Sequence, residues 1–87
     1  MSFDSTMQFK TNMSRAEIDA MLAECRTFAA AADLQEVAKL LTGTEGLPPP
    51  ELNGRLTNCL VKLGAKDEYA LLIDKLDMLM INLANLK

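Results

Sequence analysis

The stretch from Asp67 to Lys87 constrains this chain more than any other. Its apolar residues Tyr69, Leu72, Leu76, Leu79, Leu83 and Leu86 recur at alternating spacings of three and four. That is the a/d seam of a heptad pattern, and it predicts a long amphipathic helix. A second apolar set, Leu71, Met78 and Ile81, lies roughly opposite the seam when each residue advances the helix by about 100°. A helix that is apolar on two sides has to be covered on two sides. Either the other helices of the same chain wrap both, or one face packs within the chain and the other against a second chain. The second arrangement is the expectation, because leaving Leu71, Met78 and Ile81 in water forgoes roughly 1.5–3 kcal/mol for each. Methionine at such a face also suits an adaptable contact surface.

Eighty-seven residues make a single small domain. A domain of that size buries only about 60–65% of its unfolded surface and usually needs a disulfide, a metal or oligomerisation besides its core. The chain has two cysteines, Cys25 and Cys59, without a CxxC pair, and no histidine. Too few soft ligands remain for a structural zinc site, and no cofactor is expected. Each cysteine falls on the apolar stripe of a predicted helix, where a free thiol behaves as a small hydrophobe. Buried free thiols are therefore expected over a disulfide, in a reducing compartment. Oligomerisation, as a homodimer, is the supplement left.

Charge and chemistry exclude more than they assign. Net charge is −3, and the nine basic residues are scattered singly, which argues against direct nucleic-acid binding. No signal-peptide pattern opens the chain. Asp74, Lys75 and Asp77 interrupt the best candidate for a membrane span, so the expectation is a cytoplasmic protein that avoids membranes. Without histidine there is no Ser-His or Cys-His dyad. Arg26 follows Cys25 directly, but adjacent helix residues point about 100° apart, so it does not activate that thiol. Gly43-Thr44-Glu45-Gly46 lacks the spacing and lysine of a phosphate-binding loop. An enzyme is not expected.

Residues 1–13 carry no helical period and read as a flexible arm, the helical domain following over 14–87. The arm is either a disordered terminus or a segment that docks Phe3 and Phe9 on the body or on a partner. Ser14 and Glu17 then form a capping box, with Met13 and Ile18 as its hydrophobic staple. The stripe of this first helix runs through Ile18, Met21, Leu22, Cys25, Phe28, Ala29 and Ala32. The next apolar set, Leu34, Val37, Leu40 and Leu41, lies about 130° out of phase with it at about 100° per residue. That mismatch predicts a break near Ala32–Asp33, with Asp33 as the new N-cap and Gly43 as the C′ residue. Pro48-Pro49-Pro50 leads into a third helix with its stripe at Leu52, Leu56, Cys59, Leu60 and Leu63. Gly54 inside it suggests a close helix crossing, Gly64 ends it, and Asp67 caps the last helix. The expected fold is all-α, with four helices near Ser14–Ala32, Asp33–Leu41, Pro50–Leu63 and Asp67–Leu86, arranged as antiparallel helical hairpins.

From Leu34 to Leu83, the leucine pattern through Val37, Leu41, Leu47, Leu52, Leu56, Leu60, Leu76 and Leu79 resembles the small enterobacterial regulators of the AriR/YmgB type. The resemblance covers about half the chain and implies a dimeric all-α connector that modulates regulatory proteins. The long first helix and the Pro-Pro-Pro turn depart from that pattern. The functional expectation is a non-enzymatic adaptor or regulator acting through helix–helix contacts as a homodimer. Its candidate interaction residues are Leu71, Met78, Ile81, Phe3 and Phe9. The alternative is a small acidic secretion-type chaperone that holds an amphipathic segment of a client.

Overall fold

The structure is a computed structural model and describes residues 10–86. It contains four α-helices, α1 (Arg15–Ala31), α2 (Gln35–Leu40), α3 (Pro49–Leu63) and α4 (Ala70–Asn85), and no strand among the described residues. The all-α expectation holds.

Helix α1 starts where the sequence punctuates it. The Ser14 hydroxyl accepts the Glu17 N–H at 3.2 Å, and the Glu17 carboxylate accepts the Ser14 N–H at 3.0 Å. The reciprocal bonds satisfy two N–H groups that the helix start would otherwise leave open. They also hold the Glu17 carboxyl below its ordinary value of 4.5, chiefly through the Ser14 backbone bond. Met13 and Ile18, the two staple positions, are both buried in the core.

The break between α1 and α2 falls at the predicted place by a different device. Asp33 is not the N-cap of α2; Leu34 is. Asp33 instead adopts a left-handed backbone with φ +61°. The Leu34 N–H donates to the Ala29 carbonyl at 2.8 Å and the Asp33 N–H to Ala30 at 3.2 Å, which is a Schellman closure of α1. The turn changes the phase of the chain so that Val37 and Leu41 meet the same core as Ile18, Leu22, Cys25 and Ala29. Helix α2 stops at Leu40 with Leu41 as its C-cap, so the left-handed Gly43, at φ +68°, stands one residue beyond the C′ position it was expected to fill.

Three arginines, all that the chain has, fix the connection from α2 to α3. Arg15 donates to the carbonyls of Leu47 at 2.7 Å and Thr44 at 3.1 Å, while its Nε donates to Asp19 at 3.0 Å. Arg55 donates to Thr42 at 2.6 Å and Leu40 at 3.2 Å, and Arg26 to Leu41 at 3.4 Å. Carbonyls that the end of α2 and the following loop leave open thus receive guanidinium donors. Pro49 and Pro50 then open α3, where a missing N–H costs nothing.

Gly64 ends α3 with φ +64°. A 3-10 turn over Asp67–Tyr69 precedes α4, so Asp67 lies ahead of the helix that it was expected to cap. The short link reverses the chain, and α4 packs back on α3. Helix α1 packs on α2 and α4, and α3 packs on the same two, which closes a ring around one core. The seam of α4 supplies Leu72, Leu76, Leu79 and Leu83 to that core, with Tyr69 and Leu86 half-buried at its ends. Gly54 does not mark a close crossing: a β-carbon built there would meet nothing within 4 Å.

Candidate protein-interaction surface

The second face of α4 divides into a buried part and an exposed part. Met78 is core, only 1% exposed, and the extended segment before α1 covers it. The Lys10 N–H approaches the Met78 sulfur at 3.3 Å. Asn82, one turn further on, holds the same segment from both sides. Its Oδ1 accepts the Met13 N–H at 2.8 Å, and its Nδ2 donates to the carbonyls of Lys10 and Met78, each at 2.8 Å. Asn85 adds a bond from Nδ2 to the Thr11 carbonyl at 2.9 Å. Residues 10–13 are therefore part of the helical body rather than of a free arm. Phe3 and Phe9, the other residues expected to make contacts, lie outside the described residues.

Leu71 is half-buried, and Ile81 remains 43% exposed. Ile81 stands on an outward strip with Ala70, Asp74, Asp77 and Ala84, all exposed. These positions recur every three or four residues and share one side of the helix. Neither Asp74 nor Asp77 forms an ion pair among the described residues. The strip is thus an aliphatic side chain preceded by two unneutralised carboxylates.

A second surface lies between α2 and α3, and it has no local signal because it draws on residues distant in the chain. An open groove of about 460 Å³ is lined by Glu36, Lys39, Leu40, Arg55 and Lys62. Lys62 pairs with Glu36 at 2.8 Å, and its hydrogen bond and charge hold the Glu36 carboxyl below the ordinary value. Lys39 makes no ion pair among the described residues. A smaller recess of about 220 Å³ continues the groove past Leu34, Gln35 and Val37. Basic residues that are scattered along the sequence therefore gather on one side of an otherwise acidic molecule.

Groups with chemical potential lie elsewhere and are inward. Cys25 and Cys59 are free and fully buried. Burial pushes the Cys25 thiol up to about 12, although the nearby Lys75 charge opposes the rise, and pushes Cys59 up to about 11. The Cys59 thiol donates to the Val37 carbonyl at 3.9 Å. A thiol held that high is protonated at neutral pH and is not a nucleophile. Lys75 itself is only 7% exposed, on the inner side of α4. Among the described residues no cluster of cysteine and carboxylate side chains could hold a metal ion. No described helix is long and apolar enough to cross a membrane.

No family model matches the chain, and neither a curated protein nor a solved structure matches it. The likeness to AriR/YmgB-type regulators therefore assigns no family.

Proposed function

We propose that this protein is a non-enzymatic interaction module that works by helix–helix contact, with second copies of itself among its partners. The observation that carries the reading is the outward strip of α4, where Ile81 stays 43% exposed beside Asp74 and Asp77. Met78, by contrast, belongs to the fold, so the contact surface is narrower than the apolar pattern of α4 suggests. Two observations support a binding role over a chemical one. Both thiols are buried and protonated, and Lys39, Arg55 and Lys62 line an open groove together with the aliphatic Leu40.

Two substitutions test this. Ile81→Lys should keep full helicity and lose association, read by sedimentation of the full chain and by capture of partners from its own cell. Met78→Asp should unfold the chain, because it places a carboxylate in the core beneath residues 10–13. Unchanged association in folded Ile81→Lys would overturn the proposal.

A further inference from the structure

The groove between α2 and α3 and the outward strip of α4 are complementary in charge. Resting on the interaction reading above, we infer that the groove receives the α4 strip of a second copy of this chain, head to tail. The groove is lined by Lys39, Arg55 and Lys62 against the single carboxylate of Glu36, which pairs with Lys62 and leaves an excess of two positive charges, and by the aliphatic Leu40. The strip presents the inverse, with Asp74 and Asp77 one turn apart and Ile81 one turn beyond.

A helix laid in the groove thus sets its carboxylates among Lys39, Arg55 and Lys62 while Ile81 meets the aliphatic part of the wall, which is helix-in-groove recognition. A two-fold contact of strip on strip is disfavoured, because it sets Asp74 and Asp77 of one copy against the same acids of the other. Groove and strip lie on different helices, so each copy offers its strip to one neighbour and its groove to another. Exposed ion pairs carry the contact, which makes it weak and sensitive to salt.

Sedimentation of the full chain from about 10 µM to about 1 mM tests this in the concentration range of weak contacts. Average mass should climb with concentration in about 20 mM sodium chloride and return to that of the monomer in about 500 mM, where the charges are screened. A groove variant, Lys39→Gln with Lys62→Gln, and a strip variant, Asp74→Asn with Asp77→Asn, should each be monomeric and retain wild-type circular dichroism. Mixed together they should form a one-to-one complex and nothing larger, since each then keeps one good half of the contact. A wild-type chain that is monomeric throughout, or a dimer indifferent to salt, overturns the inference. So does a mixture of the two variants that stays monomeric. The salt series on the wild-type chain decides the question even if a double variant fails to fold. A salt-indifferent association lost in Ile81→Lys refutes the head-to-tail contact while leaving the interaction module standing; association that survives Ile81→Lys refutes the module as well.

Discussion

Asp33 occupies a backbone conformation that glycine usually fills at the end of a helix. Its φ of +61° crowds the β-carbon against the backbone, a strain that glycine avoids. The side chain returns little, since its contact with Gln35 is exposed and 3.4 Å long. Asp33→Gly should therefore raise stability by about 0.5–1 kcal/mol despite the looser unfolded chain. The measurement is urea unfolding, where the midpoint should rise without a change in slope. Gly54 gives the opposite case, a glycine in a helix interior with open space around its missing β-carbon. Gly54→Ala should stabilise by about 1 kcal/mol in the same assay. Both residues invite misreading for one reason. An aspartate near a break fits either an N-cap or a left-handed turn, and a glycine in a helical pattern fits either a close crossing or an open surface. The deciding fact lies across the fold, not in the adjacent letters.

At the scale of elements, periodicity located the helices well because their burial repeats along the chain. The seam of α4, the capping box of α1 and the phase break before α2 are all local or periodic signals, and each appears in the fold. The segment at residues 10–13 has no such period. It is held by main-chain groups that meet Asn82, whose partner Met13 is 69 positions away. The only hint was an amide among the apolar residues of α4, where a polar group must find a partner if buried. Because the strap carries no period, Met78 has no neighbour visible in the sequence, and the apolar pattern of α4 is broader than its exposed face. Asn82→Ala should cost about 1–3 kcal/mol, the range for leaving buried backbone groups unsatisfied. Hydrogen exchange locates the effect: the Met13 amide should lose protection by a larger factor than Ile18, deeper in α1. Equal losses at the two amides would mean that Asn82 supports the whole fold rather than the strap.

The whole molecule is a closed ring of helices with both thiols at its centre, so the core should open as one unit. Cys25 comes from α1 and Cys59 from α3, and each is fully buried. A water-soluble disulfide reagent at about pH 8, within the usual thiol range, should leave both unmodified in the native chain. Their modification rates should be equal and should fall as stabilising substitutions such as Gly54→Ala are introduced, because both report the same global opening. Faster reaction of Cys59 alone would show that α2 and α3 part before the rest. The α2–α3 connection also decides where the chain tolerates interruption. The longest loop is ordinarily the place to insert a tag, graft a peptide or move the chain ends. Here that loop carries the anchors of Arg15, Arg26 and Arg55, so lengthening it pulls on α1 and α3 together. The permissive site for engineering is the exposed link at residues 64–66, a far shorter stretch that no arginine holds.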